Sequence, residues 1–224
     1  MSCYYCDKLS AEQLRRCYEI APPRIQQYLE AEINHVLHHI NPGDMVLDLG
    51  CGYGRILPSL AQKARAVIGI DISFSSLLLG KKTVLNIANC HLLNMDAVLF
   101  AFPDRIFDIV VCIQNGISAF HVDQQDLIRE SIRVTKPGGT ILFSSYSDKF
   151  WNVRLEWFQL QSEAGLLGEI DYNKTCEGVI VCKDGFRATT VKRHQFLALT
   201  EKLNADIKIQ EVDESSLFCE IIPR

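Results

Sequence analysis

The sequence predicts an α/β fold, a Rossmann-like three-layer sandwich whose seven-stranded, mostly parallel sheet ends in a terminal antiparallel hairpin. Three observations predict it. Strand-like and helix-like segments alternate over residues 41–147, two helix-like segments precede them, and two strand-like segments end the chain. With 224 residues, 48% of them hydrophobic and 22% charged, the chain has the size and composition of one packed domain.

Residues 1–40 predict an N-terminal helical cap. Apolar residues recur at helical spacing on both sides of a break at the Pro-Pro pair that follows Ala21. His35, His38 and His39 lie near one another on the second helix, a spacing that also suits a ligand cluster. We interpret them as a structural, partly solvated helix end.

The core, residues 41–147, alternates strands and helices as a parallel sheet covered on both faces requires. Its strand-like segments are MVLDLG, AVIGID, HLLNMD, FDIVVCI and TILFSSY. Its helix-like segments span residues 55–63, 73–89 and 123–134. The sequence KPGG at 136–139 predicts a turn before the last of these strands.

The remaining chain predicts two further parts of the same domain. Residues 148–190 predict a small inserted substrate lid, because an aromatic, helix-like stretch is followed by two strand-like segments joined by a Lys-Asp-Gly turn. Residues 191–224 predict a C-terminal helix and the hairpin, whose strands ADIKIQEV and SLFCEII are separated by Asp-Glu-Ser. We therefore expect one domain over residues 1–224.

Charge and hydropathy exclude several classes of partner. The formal net charge is −4 and no run of Lys and Arg forms a basic arm, so we expect no nucleic-acid substrate. The apolar stretches are only strand-length, and the N-terminal sequence lacks the features of a signal peptide. We expect no membrane association, a cytoplasmic location, and a monomer or homodimer.

Nine cysteines are present, mostly inside apolar runs where a thiol behaves as a small hydrophobe. We expect them to be reduced. Cys3 and Cys6 have the spacing of metal ligands, but no second pair completes a site of about four ligands. We therefore predict no metal site.

The sharpest motif is VLDLGCGYGRIL at residues 46–57, where a buried strand runs into Gly50, Gly52 and Gly54 before a helix. Glycines permit tight backbone dihedrals, let the main chain approach a ligand, and leave helix N-terminal N–H groups pointing at it. A dinucleotide-binding loop or a plain strand-to-helix connection also uses such glycines.

Acidic residues end three successive strands: Asp48, Asp71 and Asp96. Because the carboxyl ends of parallel strands meet at one edge of the sheet, we expect the three side chains to converge on one crevice. Asp71 suits a vicinal diol, Asp96 suits an exocyclic amine, and Ile72 offers an apolar wall to a flat ring. Capping of a helix is the alternative role for Asp71 and Asp96.

At these residues the chain resembles the class I S-adenosylmethionine-dependent methyltransferases that carry a DLGCGxGR loop, over about residues 42–146. The resemblance implies that S-adenosylmethionine is the cofactor and that the loop packs against its methionine part. The cofactor-binding residues that it implies at the loop are Asp48, Gly50, Cys51, Gly52, Gly54 and Arg55. Beyond the loop it assigns the ribose hydroxyls to Asp71 and the adenine to Ile72, Met95 and Asp96.

By the same resemblance, Gln114 and Asn115, at the end of the fourth strand, lie where the methyl donor meets the acceptor. The implied reaction is one-step methyl transfer to a small molecule, in which alignment and desolvation supply much of the catalysis. The chain lacks the Asn/Asp-Pro-Pro-Tyr tetrad of many enzymes that methylate amino groups of DNA and proteins. This departure argues against an adenine or glutamine acceptor.

Candidate residues for the reaction itself are fewer. His121 and Tyr146 follow the fourth and fifth strands and are candidate general bases. Tyr18, Trp151 and Trp157 are candidate walls of the substrate site. For each of these five residues, a purely structural role is the alternative.

Two other functions remain open on the sequence. An NAD(P)-dependent oxidoreductase shares a glycine loop and an acidic second strand, but its usual third glycine would stand where Arg55 lies. A non-catalytic S-adenosylmethionine-binding protein would keep the pocket without turnover.

Overall fold

The computed structural model describes Tyr4 and residues 8–224, and these residues contain strands and helices in the predicted order. The strands are β1 (Met45–Leu49), β2 (Ala66–Asp71), β3 (Cys90–Asn94), β4 (Phe107–Cys112), β5 (Thr135–Tyr146), β6 (Ile180–Val181), β7 (Arg187–Ala188), β8 (Ala205–Val212) and β9 (Ser216–Pro223). The helices are α1 (Glu12–Glu19), α2 (Pro23–His39), α3 (Leu57–Ala61), α4 (Phe74–Thr83), α5 (Gly116–Ala119), α6 (Gln124–Val134), α7 (Trp151–Glu163) and α8 (Arg193–Thr200). A 3₁₀ turn, Asp148–Phe150, precedes α7.

The main sheet has seven strands in the order β3-β2-β1-β4-β5-β9-β8. Strands β1 to β5 pair in parallel, and β9 pairs antiparallel with both β5 and β8. This order confirms the predicted three-layer α/β fold with a terminal antiparallel hairpin. The central strands β1 and β4 are buried almost throughout because helices cover both of their faces, whereas β3 at the sheet edge is mostly exposed.

Two hydrophobic clusters occupy the two faces of this sheet. Leu127 of α6 and Phe196 of α8 are buried in one cluster. Val36 of α2, Leu57 of α3 and Leu77 of α4 are buried in the other. All five side chains are at most 5% exposed, so each face is sealed by helices that the apolar spacing of the sequence predicts.

A third cluster joins the N-terminal helices to residues 148–190. The indole Nε1 of Trp157 donates to the backbone oxygen of Cys17 at 3.0 Å. The ring of Tyr28 packs against those of Tyr146 (centroids 5.3 Å apart) and Phe150 (5.2 Å), which also stack on each other. The two segments, far apart in sequence, thus form one layer over the carboxyl end of the sheet.

The KPGG segment differs from its prediction. It lies inside β5 rather than before it: Phe107 of β4 pairs with Thr135 and Ile109 pairs with Thr140, so the intervening residues bulge from the ladder. Gly138 has a φ of +75°, which permits the bulge. The predicted turn before the strand is therefore wrong: the strand continues through KPGG as a bulge, and pairing with β4 is present on both sides of it.

Two helices are shorter than predicted. The segment 55–63 is helical only over α3, and 73–89 only over α4. The side chain of Ser73 accepts from the backbone N–H of Ser76 and fixes the start of α4. Among the described residues, no helix combines the length and the apolar character needed to cross a bilayer.

Candidate functional site

The glycine turn after β1 is held against β2 by the backbone. The N–H groups of Gly50 and Cys51 both donate to the carbonyl oxygen of Ile70 at 2.9 Å. Gly50 has a φ of +72°, and a Cβ added there would lie 2.4 Å from the ring of Phe120. Gly52 and Gly54 also have positive φ, +55° and +75°. The turn therefore needs glycine for backbone conformation and, at Gly50, for space.

Asp71, at the end of β2, closes the turn. Its Oδ2 accepts the N–H of Gly52 at 2.8 Å, and its Oδ1 accepts the N–H of Ser73 at 2.7 Å. Burial raises the pKa of Asp71, and these two hydrogen bonds oppose the increase. Each carboxylate oxygen keeps acceptor capacity for a further partner, because a carboxylate offers about four acceptor sites.

Asp48 lies beneath the turn and is only 3% exposed. Burial, followed by the neighbouring carboxylate of Asp71, raises the pKa of Asp48 to about 8, while Arg55 opposes that shift. Ionising a buried carboxyl group costs free energy unless a cation lies close to it.

A small cavity of about 50 Å³ lies between the turn, α1 and the end of β4. Its lining comprises Leu14, Tyr18, Asp48, Leu49, Gly50, Cys51, Gly52, Tyr53, Arg55, Ile56, Ile113 and Gln114. Within the described chain, three buried polar atoms of this lining have no hydrogen-bond partner: Oδ2 of Asp48, Nη2 of Arg55 and Nε2 of Gln114. The predicted loop residues and Gln114 are thus brought together with α1.

Tyr18 of α1 closes this cavity. Its ring lies 4.6 Å from the guanidinium carbon of Arg55, a cation–π contact, and its hydroxyl donates to Oε1 of Gln114 at 3.1 Å. Trp157 packs 6.1 Å from the same ring. Of the three predicted substrate-wall residues, Tyr18 lines the cavity, Trp157 packs against Tyr18 outside the lining, and Trp151 packs against the adjoining aromatic cluster.

The loop after β4 has an unusual backbone. Gln114 and Asn115 both adopt left-handed conformations, with φ of +56° and +63°. Nδ2 of Asn115 donates to the backbone oxygen of Thr189 at 2.9 Å, and its Oδ1 accepts from the hydroxyl of Ser145 at 2.8 Å. The Asn115 side chain therefore fixes the loop to β5 and to the end of the 148–190 segment.

Glu32 of α2 supports the same loop and was not singled out by the sequence. Its Oε2 accepts the N–H of Gln114 at 2.7 Å, and its Oε1 accepts the hydroxyl of Ser216 at 2.7 Å. Burial raises the pKa of Glu32 to about 7. The available signal was a charged residue on the buried stripe of α2, in helical register with Tyr28 and Val36.

The residues expected at the adenine lie outside the cavity lining. Ile72 is 50% exposed after β2, and Asp96 is exposed after β3. Oδ1 of Asp96 accepts the N–H of Val98 at 3.0 Å, so it caps the following turn. Met95 packs against the core cluster. The structure thus brings Asp48 and Asp71 to one point, with Asp96 at the sheet edge beyond them.

The candidate bases have different surroundings. Tyr146 is 8% exposed at the end of β5, its ring 4.5 Å from the guanidinium carbon of Arg154. Burial raises the pKa of Tyr146 to about 12, so the phenol is protonated near neutral pH. His121 is exposed between α5 and α6, with a φ of +54°.

Cys3 and Cys6 lie outside the described residues.

The sequence matches known families over its core. Residues 46–139 match a family model described as a methyltransferase domain. A malonyl-[acyl-carrier protein] O-methyltransferase of Marinomonas sp. is 32% identical over 130 residues, which cover 55% of this chain and 46% of that protein. A ubiquinone biosynthesis O-methyltransferase of Pseudomonas fluorescens is 31% identical over 126 residues, 49% of this chain and 53% of that protein. The chain spans about half the length of these curated relatives.

The fold likeness extends over almost the whole chain. The crystal structure of the N-methyltransferase NodS from Bradyrhizobium japonicum, in complex with S-adenosyl-l-homocysteine, superposes with a TM-score of 0.58. It covers 96% of this chain and 98% of that structure at 15% sequence identity. At this identity the likeness shows the shared fold.

Proposed function

The chain belongs to the class I S-adenosylmethionine-dependent methyltransferases, and from that premise we propose that it transfers the methyl group of S-adenosylmethionine to a small-molecule acceptor. The observation that carries the proposal is the glycine turn with its unpartnered buried polar atoms. Asp48 and Arg55 line one cavity, and each has a buried polar atom without a hydrogen-bond partner.

These residues fit the cofactor's amino-acid end. An ammonium group beside Asp48 would stabilise the ionised form of this buried carboxyl group, and a carboxylate near Arg55 would pair with its unpartnered Nη2. The positive-φ glycines let the backbone approach the same group closely. Asp71 keeps acceptor capacity for the ribose hydroxyls.

When bound, the cofactor supplies an electrophilic methyl group on a sulfonium, ready for direct displacement. The chain's part is to align the acceptor and to exclude water. Gln114 would lie where the cofactor meets the acceptor. Glu32 accepts a hydrogen bond from its backbone N–H, and the hydroxyl of Tyr18 donates to its side chain. Because the phenol of Tyr146 stays protonated near neutral pH, it would act as a hydrogen-bond donor rather than as a base, and the exposed His121 is the remaining candidate base.

A small-molecule acceptor has two supports. The ubiquinone biosynthesis relative is named for the methylation of a small molecule. The cavity is lined by Tyr18 and Tyr53, which suits an organic ring, and the net charge of −4 disfavours a nucleic acid.

The comparisons give no support to an NAD(P)-dependent oxidoreductase. A non-catalytic S-adenosylmethionine-binding protein differs from the proposal only in turnover. We also propose a cytoplasmic location, supported by the seven cysteines of the described residues, all free and six of them buried.

A labelled-methyl assay tests the activity. The full chain is incubated with methyl-labelled S-adenosylmethionine and a panel of phenols, amines, thiols and carboxylic acids, and S-adenosylhomocysteine formation is measured. We expect acceptor-dependent turnover that falls about 10- to 100-fold in Asp71→Asn, the loss expected for hydrogen bonds to a charged group. Asp206→Asn is the matched control, because Asp206 is exposed and pairs with Arg224 on the terminal hairpin.

Absence of turnover across the panel, together with retained binding of S-adenosylhomocysteine, would favour the non-catalytic alternative. Equal turnover in Asp71→Asn and Asp206→Asn would contradict the assigned role of Asp71.

A further inference from the structure

Outside the proposed active site, two histidines and a glutamate converge between α2 and β9. His35 and His39 are one helical turn apart on α2, so their side chains share one face. Glu220 comes from β9 and is buried against that face, with its side chain 7% exposed. From the sequence we interpret these histidines as a structural helix end, and the carboxylate that faces them in the fold lies on a distant segment of the chain.

We propose that His35, His39 and Glu220 bind a divalent transition metal, with Zn²⁺ as the metal that this ligand set suits best. Their ligand atoms lie within 4.8 Å of one another. Two imidazoles and one carboxylate are a recurrent three-residue zinc set that leaves a fourth position for water. None of these three residues lines the cavity at the glycine turn, so the metal site does not depend on the proposed methyltransferase activity.

The distances are close to those that a zinc ion requires. Nε2 of His35 lies 3.1 Å from Oε1 of Glu220, and Nε2 of His39 lies 3.6 Å from Oε2. Ligand atoms at about 2.0–2.2 Å from a tetrahedral zinc are roughly 3.3 Å apart. All the ligand atoms lie within 4.8 Å of one another, so metal binding would need side-chain rotations that draw them toward a common point.

The outer contacts orient one ligand as metal sites do. Nδ1 of His39 contacts the backbone oxygen of His35 at 2.9 Å, which directs Nε2 toward Glu220. A backbone carbonyl bound to the second ring nitrogen is the usual support of a metal-ligating histidine. Phe218 packs 4.2 Å from the ring of His35 and limits its rotation.

Two polar groups of β8 compete for the same carboxylate. Nζ of Lys208 lies 3.6 Å from Oε2 of Glu220, and Nε2 of Gln210 donates to Oε1. The Lys208 side chain is 62% exposed, so it can swing into solvent when a metal neutralises Glu220. Zinc would then clamp α2, which carries Glu32, to the terminal hairpin.

Cobalt and zinc titrations of the chelator-stripped full chain test the site. Co²⁺ reports coordination by its visible absorption, and Zn²⁺ is measured by competition. A Cys3→Ser/Cys6→Ser background removes that thiol pair. We expect one metal per chain with a spectrum of nitrogen and oxygen ligands, and binding at least about 100-fold weaker in His39→Ala.

His38→Ala is the matched control because His38 is exposed on the same helix turn and is not part of the cluster. It should bind metal as the parent does, and Zn²⁺ should raise the Tm of the parent and of His38→Ala only. Glu220→Gln, which keeps the side-chain volume, gives a second variant should His39→Ala fold poorly. Failure of the parent to bind micromolar Zn²⁺, or equal affinities in His38→Ala and His39→Ala, would overturn the proposal.

Discussion

At the scale of single residues, Glu32 connects three parts of the site. Its carboxylate accepts from Gln114, in the loop after β4, and from Ser216, at the start of β9, while its own backbone belongs to α2. A fully buried carboxylate is retained only when its lone pairs are satisfied. Glu32 therefore fixes the loop that we propose to face the reacting methyl group.

Glu32 makes stability depend on pH. Burial raises the pKa of this acid from 4.5 to about 7, so the folded state holds its proton more tightly than the unfolded chain does. The contribution to the free energy of unfolding is greatest at low pH and falls as the pH rises between these values. Glu32→Gln removes this titration.

We therefore expect the difference in the free energy of unfolding to shift in favour of Glu32→Gln as the pH rises from about 5 to about 8. Urea denaturation of both proteins across this range measures the shift. A difference that stays constant with pH would contradict the raised pKa.

Gly50→Ala tests the demands of the glycine turn. The substitution places a Cβ in a left-handed conformation and against the ring of Phe120, so we expect it to destabilise the fold by more than the roughly 1–2 kcal/mol of backbone strain alone. Gly138→Ala is the matched control: its φ is also positive, +75°, and no described atom lies within 4 Å of the added carbon. If the two variants lose the same free energy of unfolding, the ring of Phe120 moves aside at no measurable cost, which would contradict the expected steric clash.

The sequence identified Asp48 and Asp71 correctly as neighbours, because strand ends of a parallel sheet meet at one edge. It did not identify Glu32, whose partners Gln114 and Ser216 lie 82 and 184 positions away. Contacts of this kind depend on packing between elements, and periodicity within one helix does not reveal them.

At the scale of elements, α1 lies directly over the glycine turn. Leu14 would be 3.0 Å from a Cβ on Gly52, and the N–H of Ala11 donates to the hydroxyl of Ser76 on α4 at 2.9 Å. The cavity of about 50 Å³ is far below the roughly 300 Å³ or more of typical ligand pockets. We therefore expect α1 to shift when the cofactor binds.

Hydrogen exchange measures this shift. Addition of S-adenosylhomocysteine should change the exchange of backbone amides in α1, because α1 contacts the glycine turn. The exchange of amides in α6 should stay unchanged, because α6 packs into a hydrophobic cluster on one face of the sheet. Unchanged exchange in α1 with saturating ligand would show that the helix is not displaced.

The sequence predicted which segments form strands and helices more accurately than it predicted the residues at which those elements end. Buried apolar runs predicted β1 to β5, since strands covered on both faces are apolar throughout. The ends of α3 and α4 and the bulge in β5 depend on capping by Ser73 and on pairing with β4, which the local pattern does not contain.

At the scale of the whole molecule, the terminal hairpin ties the end of the chain to its beginning. Nη1 of Arg24, on α2, bonds Oδ2 of Asp213 at 2.7 Å, and Glu32 bonds Ser216. The sheet, the N-terminal helices and residues 148–190 thus meet around the carboxyl ends of β1 and β4. The alternation of segments predicted the layers, and the long-range contacts that build the site came from the structure.

Calorimetric titration of the full chain with S-adenosylhomocysteine tests most directly the claim that the glycine turn binds this cofactor. We expect saturable binding of one molecule per chain, weakened about 10- to 100-fold in Asp71→Asn and unchanged in Asp206→Asn. No binding of S-adenosylhomocysteine or S-adenosylmethionine at millimolar concentration, by a chain shown to be folded, would contradict it.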